Sequence, residues 1–181
     1  MELGEKKRIA PWIPTPIEII VEALKYANIG EGDVVYDLGA GDGRVVILAA
    51  KLFGARGVAI EVDEKMCVVI EANAKEYGVL NKIKVLCDDF FNVDLSDATV
   101  VYMYLYRSIN EVLASKLSRE LNDYTRVITI DFPIPNWIPI GIKRLPDRGG
   151  MIRTIYLYVV GVSDPNRRVK RIKSNIGIDA S

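Results

Sequence analysis

The residues that could do chemistry gather in one early stretch, "VVYDLGAGDGR", Val34 to Arg44. An apolar run ends on the carboxylate of Asp37, and Gly39, Gly41 and Gly43 follow at alternate positions. Glycines so placed let the backbone turn tightly and approach a ligand closely. They do not form a dinucleotide fingerprint, because G-x-G-x-x-G would need a glycine at Arg44. Asp37 then separates the candidate ligands. A carboxylate at that point repels a pyrophosphate and suits a cationic amino acid group, which favours S-adenosylmethionine over a nicotinamide dinucleotide. Glu61 ends the next apolar run, where an acid can accept both hydroxyls of a ribose. "DDFF", Asp88 to Phe91, offers an acid and an aromatic ring to an adenine. Each piece alone is common, since acids at strand ends often cap helices and glycine turns often only join strand to helix. Their order along one chain points to a cofactor site.

The elements that must hold these residues alternate between two periods. "TPIE", Thr15 to Glu18, reads as a capping box with Pro16 at the first helical position, and Ile17, Ile20, Val21 and Leu24 recur on one face of a helix over residues 16–28. "DVVYDL" is a buried strand, "RVVILAAKLFG" a helix apolar nearly all round, and "ARGVAIEV" a second strand. Asp63 caps a helix whose shared face is Met66, Ile70, Asn73 and Tyr77. "KIKVL" and "ATVVYMYL" are the third and fourth strands. "SINE", Ser108 to Glu111, is a second capping box, opening a helix with Ile109, Val112, Leu113, Leu117 and Leu121 inward, and "TRVITI" is the fifth strand. The Pro-rich "DFPIPNWIPIG" replaces a crossover helix, and "IGIKRL" with "RTIYLYVV" forms a hairpin around "PDRGG". This alternation predicts an α/β fold, a Rossmann-like doubly wound sheet of seven strands with a terminal antiparallel hairpin. Ligands of such sheets sit at the carboxyl ends of the strands.

Composition narrows the setting. A chain of 181 residues, half of them apolar, buries one core, so residues 1–161 are predicted as one domain and 162–181 as a basic tail. Arg167, Arg168, Lys170, Arg171 and Lys173 crowd that tail, while the formal net charge of zero gives no global pull toward nucleic acid. No apolar run reaches the ~20 residues of a membrane span and "MELGEKKRIA" lacks an apolar signal core, so a cytoplasmic protein is expected. Cys67 and Cys87 have neither disulfide-framework nor metal-ligand spacing. With no histidine in the chain, zinc catalysis and a histidine base are not expected.

Beside "DLGAGDGR", the stretches "PWIPTP", "DDFFNVDLSDATVV", "SINEVLASKLSREL", "DFPIPNW" and "RTIYLYVVG" resemble the class I, seven-strand methyltransferases, and among them the small archaeal protein-lysine methyltransferases. The resemblance covers residues 9–161. It extends to the mitochondrial lysine methyltransferases of membrane carriers and ATP synthase rotor subunits, and more distantly to non-SET histone methyltransferases. It implies methyl transfer from S-adenosylmethionine to lysine amines of proteins. It also implies that Thr15 and the segment before it close over the methionine end, that Asp37, Gly39 and Gly41 hold the amino acid part, that Glu61 holds the ribose, and that Asp89 with Phe90 holds the adenine. Trp12 stands where that family more often has Tyr or Phe.

Other methyltransferase classes leave marks that this chain lacks. Enzymes of exocyclic base amines and glutamine amides carry [DN]-P-P-[FYW] after the fourth strand, where this chain reads "YMYLYR". Cytosine-C5 enzymes need a cysteine nucleophile after Pro or Thr, and neither Cys67 nor Cys87 follows one. A lysine amine has a free pKa of about 10.4, and an apolar channel beside a sulfonium disfavours its charged form, so no protein base is required. Trp12, Tyr102, Tyr104 and Phe132 are the candidates for the channel wall, and Asp131 for a contact to the entering ammonium. Protein substrates and no membrane insertion are expected, nucleic acid is not expected as the main substrate, and a monomer is compatible with the reading. Still open are a methyltransferase for RNA or a small amine, a cofactor-binding protein without turnover, and a dehydrogenase.

Overall fold

A computed structural model describes residues 14–165 and residue 167. Trp12 and most of the basic tail lie outside the described residues. The helices are α1 (Ile17–Tyr26), α2 (Arg44–Phe53), α3 (Glu64–Glu76) and α4 (Arg107–Glu120). The strands are β1 (Val34–Leu38), β2 (Arg56–Ile60), β3 (Ile83–Leu86), β4 (Val100–Met103), β5 (Arg126–Ile130), β6 (Gly141–Pro146) and β7 (Ile152–Val159). They form one sheet in the order β3-β2-β1-β4-β5-β7-β6. The first five run parallel, and β7 lies antiparallel between β5 and β6. This is the doubly wound sheet and hairpin predicted above. Its strand order reverses between β1 and β4, which makes the carboxyl ends of those two strands the switch point where such sheets bind ligands.

Side-chain alternation gives the sheet two apolar faces. On one, Val101, Met103, Val127 and Tyr158 meet Leu113 and Leu117 of α4. On the other, Val35, Tyr102, Ile128 and Leu157 meet Ile20 and Leu24 of α1. The segment after β5 has no helix to cover the sheet, and Trp137 and Ile134 fill that place from an irregular loop.

Several local expectations change. Neither capping box forms. The N-cap of α1 is Pro16, because the Thr15 side chain faces the Tyr102 hydroxyl at 3.5 Å. The helix α4 begins ahead of Ser108, since the Tyr106 carbonyl already accepts from the N–H groups of Ile109 and Asn110. Asp63 does cap α3, accepting from Lys65 N at 2.9 Å. The inner face of α3 is Cys67, Ile70 and Ala74 rather than the predicted set, and Tyr77 is exposed. Likewise α4 exposes Val112 and buries Asn110 and Lys116. Cys67 and Cys87 form a disulfide with Cα atoms 6.0 Å apart, contrary to the reading of their spacing, because α3 folds back onto the end of β3. Two of the described residues past Gly161 pack onto the body. Ser163 and Asp164 are buried, with the Ser163 carbonyl accepting from Ile138 N and Asp164 bonded to Ser118.

Candidate active site

The glycine loop leaves β1 with φ of +85°, +57° and +81° at Gly39, Gly41 and Gly43, a left-handed path costly for other residues. At Gly43 there is also no room, since a Cβ would stand 2.7 Å from Ile70 Cγ2. The loop is tied to β2, whose Ile60 carbonyl accepts from Gly39 N and Ala40 N at 2.9 and 3.0 Å. Glu61 is buried at the end of β2. Its Oε2 accepts from Gly41 N at 2.9 Å, and its Oε1 accepts from Val62 N and Asp63 N at 3.0 Å each. This one carboxylate therefore sets the shape of the loop and of the turn after β2.

Asp37 is 3 % exposed, and among the described residues nothing donates to its carboxylate. Burial pushes its pKa up to about 8, and the charges of Glu61 and Asp42 add to the rise. A buried carboxylate needs a paired opposite charge to offset its loss of water, and among the described residues Asp37 has none. Asp42 binds the Arg44 guanidinium at 2.6 and 2.9 Å, and Arg44 Nη1 donates to the Thr15 carbonyl at 3.0 Å. The "GDGR" pattern by itself assigns no role to these two residues. In the fold they clamp the entry of α1, with Thr15, against the glycine loop.

Beyond β3, Asp89 Oδ1 accepts from Phe91 N at 2.9 Å, while Asp88 Oδ1 accepts from Asp89 N at 2.7 Å. The rings of Phe90 and Phe91 pack at 4.9 Å between centroids and rest on the α4-side core. The Cys67–Cys87 disulfide fixes this turn to α3, next to Glu61, whose carbonyl oxygen lies 3.5 Å from Cys67 Sγ.

On the other side of the switch point, Tyr102 is fully buried and its hydroxyl is pushed above the usual range by burial. Strand register places Leu38, Met103 and Thr129 in one row, so Gly39 and Tyr104 leave the sheet beside Ile130, the last residue of β5. There Tyr104, Asp131 and Phe132 come together. The Tyr104 hydroxyl donates to Asp131 Oδ2 at 3.1 Å, and its ring stacks on Phe132 at 6.5 Å. Two further groups escape a reading of the sequence. Tyr106 meets Phe132 edge-on at 5.7 Å, and Asn110 Nδ2 donates to the Phe132 carbonyl at 3.0 Å. Arg153 of β7 escapes it as well, although its Nη1 lies 2.8 Å from Asp131 Oδ2 and 2.9 Å from the Tyr104 oxygen. No local pattern marks a residue that reaches the site from a strand remote in sequence.

Residues 37–141 match the family model described as the ANTKMT methyltransferase domain. The chain belongs to this methyltransferase family. It is 40% identical over 152 residues to the protein-lysine N-methyltransferase of Saccharolobus islandicus strain REY15A, covering 83% of this chain and 94% of that protein. It is 30% identical over 169 residues to the ATP synthase C-subunit lysine N-methyltransferase of Xenopus laevis, covering 93% and 72%. Among solved structures, an RNA methyltransferase from Salinibacter ruber in complex with S-adenosyl-L-homocysteine superposes with a TM-score of 0.76 at 39% identity, covering 82% and 94%. The methyltransferase domain match thus begins at Asp37 itself and ends at the first residue of β6.

Proposed function

We propose that this methyltransferase transfers a methyl group from S-adenosylmethionine to lysine side-chain amines of proteins. The observation that carries the cofactor is Asp37, a buried carboxyl group that meets no hydrogen-bond donor among the described residues, set beside three positive-φ glycines at the switch point. That donor set fits S-adenosylmethionine. Asp37 takes its ammonium group, and Gly39 and Gly41 let the backbone close on its amino acid part. Glu61 accepts from the ribose, Asp89 and Phe90 flank the adenine, and Thr15 closes over the methionine end. When bound, the cofactor supplies an electrophilic methyl on a sulfonium.

The substrate side supports an amine. Tyr104, Phe132 and Tyr106 form an aromatic wall, and Tyr102 and Trp12 are assigned to the same wall from the sequence. Such a wall disfavours an ammonium ion and so frees the lone pair that attacks. The chain has no histidine, and the Asp131 carboxylate is already held by Arg153, Tyr104 and Thr154 N, which leaves it ill placed to act as a general base. Catalysis then rests on desolvation and alignment of the amine.

RNA is the second reading, favoured by the likeness to the Salinibacter ruber RNA methyltransferase at 39% identity. Incubation with methyl-labelled S-adenosylmethionine and separate total protein and RNA extracts decides between them. Label should enter the protein fraction and be released by protease; label confined to ribonuclease-sensitive material would establish the RNA reading.

A further inference from the structure

We propose that Arg153, on β7, is a positioning residue for methyl transfer. It aims the Tyr104 hydroxyl at the substrate amine and cancels the Asp131 charge that would otherwise keep that amine protonated. The inference rests on the amine substrate proposed above.

The geometry starts at Asp131. Its φ is +61°, and Phe132 N donates to the Ile130 carbonyl two residues back at 2.7 Å, which makes a γ-turn of the strained, positive-φ hand. A non-glycine residue holds such a turn only when its surroundings over-determine it. Here Asp131 N donates to the Thr154 carbonyl at 2.7 Å, and Thr154 N donates back to Asp131 Oδ1 at 2.9 Å. The strained turn thereby presents Oδ2 to the side where Tyr104 and Arg153 meet it. Strain of this kind gathers at functional sites.

Arg153 completes the arrangement. Its Nε donates to Asp147 Oδ2 at 3.0 Å in the β6–β7 turn, which fixes the guanidinium plane. Its Nη1 then bridges Asp131 Oδ2 and the Tyr104 oxygen. The Arg153 side chain is only 13% exposed, so its charge acts with little screening. Tyr104 donates its proton to Asp131 and accepts from Arg153, and the phenol oxygen keeps one lone pair for a substrate N–H. That contact would orient the amine without removing its proton.

The charged and titratable groups around this point come from every neighbouring element: Tyr102 of β4, Tyr104 just after it, Asp131 after β5, Arg153 of β7 and Asp147 of the hairpin turn. Glu18 of α1 approaches the same turn through Arg148 N. Asp37 of β1 acts on Tyr102 from the cofactor side. Arg153 is the cation that meets Asp131 among the described residues. Removing it leaves Asp131 uncompensated beside the amine, which favours the ammonium form and raises the pH at which attack begins.

The test is single-turnover transfer of labelled methyl to lysine in a total protein extract, from about pH 6 to about pH 10, for wild type, R153M, R153K, D131N and R153M/D131N. R153M should move the midpoint up by about one pH unit and also lower the high-pH plateau, because it removes both the charge and the planar bridge. R153K should keep the midpoint and lower the plateau, because an ammonium cannot make the planar bridge. D131N should move the midpoint down, and the double variant should return it to near the wild-type value. Calorimetric affinity for S-adenosylmethionine should stay within about twofold throughout. A uniform loss of rate with unmoved midpoints in R153M and D131N would overturn the proposal, and so would variants indistinguishable from wild type. Should R153M fail to fold, the D131N midpoint alone decides. No label on lysine from the wild type would overturn the amine reading and this inference together; wild-type label with fixed midpoints overturns only the inference.

Discussion

Asp37 and Glu61 stand buried at the carboxyl ends of neighbouring strands, yet Glu61 accepts from three backbone N–H groups while Asp37 accepts from none among the described residues. The contrast divides their roles. Glu61 shapes the loop through its backbone contacts, whereas the proposed function has Asp37 gain its partner from the cofactor.

Cofactor binding should therefore move a proton. Burial holds Asp37 at about 8, so at neutral pH the cofactor-free chain carries it mostly protonated. A cationic amino group brings the carboxyl back toward its ordinary range and expels that proton. Calorimetry at pH 7 in buffers of different ionisation enthalpy should show release of close to one proton, fading as the pH passes well above 8. The D37N variant should release none and bind weaker by roughly 1.5 to 3 kcal/mol, the usual range for a hydrogen bond to a charged group.

The same shift sets a pH dependence of stability. A carboxyl whose folded pKa lies above its unfolded value binds its proton more tightly when folded. Its contribution is full at about pH 4 and is lost as the pH rises through about 8. Without cofactor, D37N should gain on the wild type across that window. At pH 9 its melting temperature should be higher, by about 2 to 4 °C for each kcal/mol relieved in a domain of this size. Equal melting curves at pH 9 would mean that Asp37 ionises without penalty.

The Cys67–Cys87 disulfide closes a segment with a sequence separation of 20 and fixes the Asp88–Phe91 turn to α3. Loop closure of that length stabilises by about 3 kcal/mol. Reduction, or the C67S/C87S double variant, should lower the melting temperature by about 6 to 12 °C. Scanning calorimetry with and without reductant measures it, and no difference would show that the bond adds nothing to the fold.

The strands and helices, the glycine loop and the acids at the ends of β1 and β2 can be read from the chain, because each is a local pattern of periodicity or spacing. The capping boxes fail because a tertiary contact to Tyr102 claims the Thr15 side chain, and because α4 starts ahead of Ser108 with the Tyr106 carbonyl accepting its first helical bonds. The disulfide is hidden because its two cysteines are brought together only by the packing of α3 on β3. Arg153 is invisible for a related reason: β7 enters the sheet antiparallel beside β5, and only that pairing sets Thr154 opposite the end of β5 and brings Arg153 onto Asp131.

Amino acid analysis of the labelled product is the decisive measurement for lysine methylation. Protein labelled by the wild-type chain from methyl-labelled S-adenosylmethionine is hydrolysed in acid and its residues are separated. Label is expected in N-methylated lysine and nowhere else, and a Glu61→Ala variant should lose it. Label in any other amino acid, or methyl-lysine formed undiminished by the variant, would contradict the proposed function.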